Sequence, residues 1–256
     1  MPMHLDTAQI TAIGNRTTNE DALASALQDD IVCFVMADGT GGHVGGELAA
    51  QLATDAIIEK FLQEASFSAR ALRSYLDWAT VKVAQGKQEH VNQRQMSTTI
   101  AAILIDQSNR CALWAHLGDT RIYQFRQGRI KTVSKDHSQA QMMVDAGFAD
   151  YAQIRRHPRR NVLFAAIGSE GGFAAEVTAE AMELQQGDAF LLCTDGFWEW
   201  VYEHEMEYCL AASKTSDEWL SKMNAIAEKN INTSKAVNRD NFSAFAICLH
   251  DNPVGK

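Results

Sequence analysis

Antiparallel β-sheet covered by helices is the fold class that this sequence of 256 residues predicts. Runs rich in Ile, Val, Phe, Leu and Cys, each of strand length, come in blocks, and stretches of helical periodicity lie between the blocks. The strict strand-helix alternation that marks a doubly wound parallel sheet is missing. With 46% hydrophobic residues, three prolines and no Ser/Gly/Pro-rich linker, residues 1–256 read as one domain with a substantial core.

In chain order, strands are expected at 8–13, 31–37, 98–106, 110–117, 120–125, 175–184, 189–194 and 242–249. The short connection QSN and the dipeptide Gly118-Asp119 predict an antiparallel meander through the third, fourth and fifth of these. Helices are expected at 47–62 and at 66–91, where Leu72, Tyr75, Leu76, Ala79 and Val83 share a face. Two more are expected at 137–147 and at 216–231, where Trp219, Leu220, Met223, Ile226 and Ala227 do the same. The segment 149–173, with Arg155, Arg156, His157, Pro158, Arg159 and Arg160, follows no period and reads as a surface excursion.

Charge and composition exclude several partners. Lys+Arg number 23 against 32 Asp+Glu, a formal charge of -9, which leaves no positive excess to displace counterions from nucleic acid. The longest apolar run, Ile31 to Ala37, is strand-sized and far short of the ~20 residues that span a bilayer. MPMHLDTAQI has neither the basic start nor the apolar run of an export signal, so the cytoplasm is the expected compartment. Cys33, Cys111, Cys193, Cys209 and Cys248 form no CxxC pair and are expected to be reduced, buried small hydrophobes.

Acidic residues stop the apolar runs. Asp38-Gly39 follows IVCFVMA, and Asp195-Gly196 follows AFLLCT. A carboxylate at a strand end, followed by Gly, can project beside an accessible carbonyl, and hard divalent ions take oxygen ligands of both kinds. Asp240 precedes the run FSAFAICL, and Glu20-Asp21 precedes the segment leading into 31–37. One Asp-Gly is ordinary turn chemistry, but four acidic sites at the ends of apolar runs favour a metal cluster. Arg16, five residues before Asp21, suits bidentate capture of a phosphate. His43 lies in the Gly-rich stretch DGTGGHVGG, which lacks the Lys-Ser/Thr pair of a P-loop and the strand-to-helix setting of a dinucleotide fingerprint.

These residues resemble the PPM family, the protein phosphatase 2C type of metal-dependent Ser/Thr phosphatases, in its short bacterial form. The resemblance runs in family order through RTTNEDA (16–22), VMADGTGGHVGGELAA (35–50), STT (97–99), HLGDTRIY (116–123), SKDHS (134–138), NVLFAAIG (161–168), GDAFLLCTDGFWEWV (187–201) and NRDNFSAF (238–245). It implies an αββα sandwich, two central antiparallel sheets flanked by helices, with a binuclear Mn²⁺ or Mg²⁺ site at one end. Carried onto matching positions, Asp38 would bridge both ions, Gly39 would offer its carbonyl to one, and Asp195 and Asp240 would hold the other. Asp21, with Glu20 beside it, would act through metal-bound water, and Asp119 would bind a weaker third ion. Arg16 would bind the substrate phosphate and His43 would serve as general acid. A flap subdomain is expected at about 137–173.

Thr40, Ala12, Ser97 and Thr194 depart from the residues common at those family positions, yet none of the departures removes a ligand. The implied activity is hydrolysis of phosphoserine and phosphothreonine in proteins, opposing a bacterial Ser/Thr kinase, by a monomer. The competing expectations are an adaptor that binds phosphoproteins without turnover and a two-metal hydrolase of another phosphoester.

Overall fold

The computed structural model describes residues 3–40, 45–171, 174–234 and 239–251. In chain order the first elements are β1 (Met3–Ala12), β2 (Asp21–Gln28), β3 (Ile31–Asp38), α1 (Gly46–Glu64), α2 (Ala69–Glu89), β4 (Ile100–Asp106) and β5 (Cys111–Leu117). Then come β6 (Arg121–Arg126), β7 (Arg129–Val133), α3 (Gln139–Asp145), β8 (Glu176–Val177) and β9 (Met182–Glu183). The chain closes with β10 (Ala189–Cys193), α4 (Asp195–Trp198), α5 (Glu203–Ala211), α6 (Ser216–Ser234) and β11 (Phe242–Asp251).

The strands build two antiparallel sheets, one ordered β2-β3-β4-β5-β8 and the other β1-β11-β10-β6-β7. Strand parity explains how they stack. In β4, Ile100, Ala102 and Leu104 pack with α1 and α2, while Ala101, Ile103 and Ile105 face the second sheet. In β11, Ala244, Ala246 and Cys248 pack with α5 and α6, while Phe245, Ile247 and Leu249 face the first sheet. A strand buried on both faces has no polar side to alternate, so these strands read as continuous apolar runs. Edge-to-face pairs of Phe34 with Phe245 (5.5 Å) and Trp114 with Phe190 (6.5 Å) join the two inner faces. The result is the expected αββα sandwich.

Several local expectations need correction. The meander ends after β5, because β6 pairs with β10 in the opposite sheet. Gly118 makes this crossover at φ 105°, and a Cβ there would lie 2.6 Å from Thr99 Cγ2. β2 was not expected because DALASALQ is Ala-rich and weakly alternating; its pairing with β3 supplies the order that propensity does not. β7 and α5 are short amphipathic pieces without a long period. The run 175–184 contains only the two-residue strands β8 and β9. The stretch 149–171 is no free excursion, since Ile154, Ala165, Ala166 and Ile167 are buried. All five cysteines are free thiols, and four of them are buried.

Candidate active site

Carboxylates from both sheets converge at one end of the sandwich. Asp21 and Asp38 are cross-strand partners where β2 and β3 meet, while Asp195 opens α4 one residue beyond β10 and Asp240 lies just before β11. Asp119 sits in the crossover between the sheets. Arg16, Glu20, Asp38, Gly39, Asp119, Asp195 and Asp240 line a single cleft of about 630 Å³. Asp21 stands behind that lining, across from Asp38. His43 lies outside the described residues.

The glycines that follow the two strand-end aspartates are required by close approach. A Cβ on Gly39 would lie 2.3 Å from the Gly46 carbonyl carbon at the start of α1, and one on Gly196 would lie 1.9 Å from the Asn241 carbonyl oxygen. Gly196 thus lets the segments carrying Asp195 and Asp240 come together. Gly196→Ala is expected to cost about 2–3 kcal/mol, as overpacking against backbone does, and to lower the melting temperature in a thermal scan. An unchanged melting temperature would show that the two segments are not packed this tightly.

Backbone and hydroxyl bonds hold the carboxylates in place. Thr99 accepts from Asp38 N–H through Oγ1 (3.0 Å) and donates its own N–H to the Asp38 carbonyl (2.8 Å). Asp21 Oδ2 accepts from Ser243 Oγ (2.7 Å) and Thr194 Oγ1 (3.1 Å). Asn241 ties the Arg16 loop to β11, donating to the carbonyls of Ile13 (2.8 Å) and Thr18 (2.9 Å) and accepting from Glu20 N–H (2.9 Å). Sequence reasoning missed Asn241, Ser243 and Thr99; a polar residue opening or interrupting an apolar strand was the available signal. Two departures from the family pattern match each other, since the Thr40 and Ser97 hydroxyls lie 2.6 Å apart in a hydrogen bond.

The stretch after β7 forms one wall of the cleft through Asn161, Val162, Leu163, Ala165, Ala166 and Ser169. It is anchored by ion pairs of Arg155 with Glu203 (2.6 Å) and of Arg160 with Glu199. Beneath it, buried Arg121 pairs with Asp136 in bidentate fashion through Nε and Nη2 (2.8 and 2.7 Å) and lies 3.5 Å from the Trp198 ring centre. Trp198 Nε1 in turn donates to the Asp119 carbonyl (2.9 Å), which fixes the crossover.

Negative charge in the cleft is poorly balanced. Burial, followed by the charges of Asp21, Asp195, Asp119 and Asp240, holds the Asp38 carboxyl well above the usual carboxylate range. Asp195 is raised by burial and then by Asp119, Glu199 and Asp240. Burial also pushes Asp21 and Asp119 up to about 7, although Ser243 and Thr194 oppose the shift at Asp21 and Arg121 opposes it at Asp119. Arg16 offsets part of the charge through a 2.5 Å pair with Asp240, but both partners are solvent-accessible. Asp21 Oδ1 is buried with no hydrogen-bond partner among the described residues. Hard oxygen donors, excess negative charge and an orphaned carboxylate oxygen fit divalent cations of the Mg²⁺ and Mn²⁺ kind.

Comparison with known proteins agrees with this geometry. Residues 9–238 match the family model for protein phosphatase 2C. The serine/threonine phosphatase Stp of Listeria monocytogenes is 28% identical over 222 residues, covering 83% of this chain and 86% of that protein. The crystal structure of the Mycobacterium tuberculosis serine/threonine phosphatase PstP/Ppp is similar at TM-score 0.82 and 25% identity, covering 96% of this chain and 99% of that one. A structure of the PstP catalytic domain in complex with two manganese ions shares the fold at TM-score 0.81 and 23% identity, covering 97% of this chain and 100% of the other.

Proposed function

The chain belongs to the protein phosphatase 2C family, and from that premise we propose that it removes phosphate from phosphoserine and phosphothreonine in proteins, using divalent ions held in the carboxylate cleft. The observation that carries this is the convergence of Asp38, Asp119, Asp195 and Asp240 on one cleft that Arg16 also lines. Asp38 and the Gly39 carbonyl, with Asp21 and Glu20 nearby, would hold one ion; Asp38, Asp195 and Asp240 would hold a second; Asp119 would hold a weaker third. The structure of the PstP catalytic domain in complex with two manganese ions supports a pair of ion sites in this proposal. When bound, such ions neutralise the phosphoryl oxygens and supply a nucleophilic water at neutral pH.

The chain's own groups do the rest. Arg16 leaves Asp240 to take the substrate phosphate, a low-cost exchange because an exposed ion pair is worth only about 0–1 kcal/mol. Asn241 holds the Arg16 loop against β11 and so presents the guanidinium to the cleft. Asp21 is oriented by Ser243 and Thr194, leaving Oδ1 as the free ligand atom. His43, in the proposed role of general acid, gives a proton to the departing Ser or Thr oxygen. Cys193 takes no part: it is buried and its thiol is pushed up by burial. The cellular counterpart in this proposal is a Ser/Thr kinase whose targets the enzyme resets as a monomer.

Arg16→Ala is expected to raise KM for a phosphothreonine peptide, and the inhibition constant of inorganic phosphate, by about tenfold or more, the worth of a charge-assisted contact. Metal affinity should change less. Unchanged KM and unchanged phosphate inhibition would remove Arg16 from the substrate site. The function itself is tested by offering a phosphothreonine peptide and an oligonucleotide side by side with Mn²⁺ or Mg²⁺. Hydrolysis of the peptide alone is expected; preference for the oligonucleotide, or binding of the peptide without turnover, would contradict the proposal.

A further inference from the structure

Beside the crossover that carries Asp119, where the Gly118 N–H meets His137 Nδ1 at 3.1 Å, a second group of ligating side chains has no part in the chemistry above. One nitrogen from each of His116 and His137 and one oxygen from Glu176 lie within 4.8 Å of one another. His116 is on β5, His137 precedes α3 and Glu176 begins β8. Both imidazoles are buried and their ring centres are 4.9 Å apart, whereas Glu176 is exposed and reaches in from the sheet edge.

Hydrogen bonding sets the tautomers. His116 Nε2 lies 2.8 Å from the Lys135 carbonyl, an acceptor only, so Nε2 carries the proton and Nδ1 keeps its lone pair. That Nδ1 is buried and has no hydrogen-bond partner among the described residues. A buried lone pair without a donor is costly unless something takes it. A backbone carbonyl on the far nitrogen is also the usual support of a metal-binding histidine.

His137 has two options. Its Nδ1 lies 3.1 Å from the Gly118 N–H, which it can accept, and 3.4 Å from the Gly118 carbonyl, to which it can donate. In the first case Nε2–H faces Glu176 Oε1 at 3.5 Å; in the second, Nε2 presents a lone pair beside that carboxylate. The second arrangement puts two neutral imidazoles and one carboxylate around a common point, the donor set of a zinc site that keeps an open fourth position. Bonds of about 2.0–2.1 Å place tetrahedral ligands about 3.3 Å apart, close to the His137–Glu176 separation, and exposed Glu176 is free to close the remainder.

We propose that His116 Nδ1, His137 Nε2 and Glu176 form a transition-metal site, selective for Zn²⁺ over Mg²⁺, separate from the carboxylate cleft. An ion here would clip β8 to β5 and to the segment before α3. Nitrogen donors are what separate the two sites, because Mg²⁺ prefers oxygen and Zn²⁺ takes imidazole readily.

The test is calorimetric titration of the whole chain with Zn²⁺ in a large excess of Mg²⁺, which occupies the oxygen-donor cleft. Wild-type chain should take up one equivalent, and Glu176→Gln should bind it at least about tenfold more weakly, with His116→Gln weaker still. Glu176 is exposed, so its variant is expected to fold and can be checked by its melting temperature. In ¹⁵N spectra of the histidines, Zn²⁺ should move His137 Nδ1 from the lone-pair to the protonated position. No uptake by wild type, equal uptake by Glu176→Gln, or histidine spectra that Zn²⁺ leaves unchanged would each overturn the site.

Discussion

Asp38→Asn is expected to lower kcat on a phosphothreonine peptide by about 10³-fold or more, roughly 4 kcal/mol of transition-state stabilisation. The amide keeps the shape of the side chain, and the bonds that position residue 38 run from its backbone to Thr98 and Thr99. Removing one charge from the cluster also relieves repulsion, so the metal-free variant should melt no lower than the metal-free parent. Asp195→Asn should behave in the same way, since its carboxyl is raised by burial and by the neighbouring Asp119. The pairing of lost turnover with retained stability separates a ligand from a structural residue. Near-parental kcat in either variant would place the ions elsewhere.

The second large effect is on stability, and its sign follows from the raised carboxyls. Burial pushes Asp21 and Asp119 up to about 7 in the folded chain, against the ordinary carboxylate value of 3.8 that applies when unfolded. Between these values the folded state binds more protons than the unfolded state. Stability of the metal-free chain is therefore fully present at the acid end and falls as pH rises through that window. His116, lowered by burial, contributes with the opposite sign, so the metal-dependent part is the cleaner readout. Added Mn²⁺ must compete with those protons, and its stabilisation should grow between about pH 5 and pH 8 by an amount on the order of a few kcal/mol. Denaturant unfolding with and without the ion measures it. A stabilisation independent of pH would mean that these carboxyls are not the ligands.

Much of the site was legible because each aspartate ends or begins an apolar run. That pattern exposes Asp38, Asp195 and Asp240 in the sequence, since a charge can follow IVCFVMA or AFLLCT only where the sheet stops. The convergence of these ends was not legible from spacing, because it depends on β5 and β6 lying in different sheets. Gly118-Asp119 looks like a hairpin turn locally, and only Thr99 packing under Gly118 makes it a crossover. Asn241 escaped notice because its three partners lie more than 200 residues away, at Ile13, Thr18 and Glu20. The wall formed by 161–169 was legible only through the family resemblance of NVLFAAIG, for an irregular segment has no period even when, as at Ala165 to Ile167, it is buried.

The central claim is that the clustered carboxylates act by holding divalent ions. Its most direct test is a single titration: the chain is chelated exhaustively, dialysed, and assayed on a phosphothreonine peptide as Mn²⁺ is returned. Activity should be absent at the start and recover as the tight sites fill, with Asp38→Asn failing to recover at any Mn²⁺ concentration. Full hydrolysis by the chelated chain, or recovery by the variant equal to that of the parent, would contradict the account.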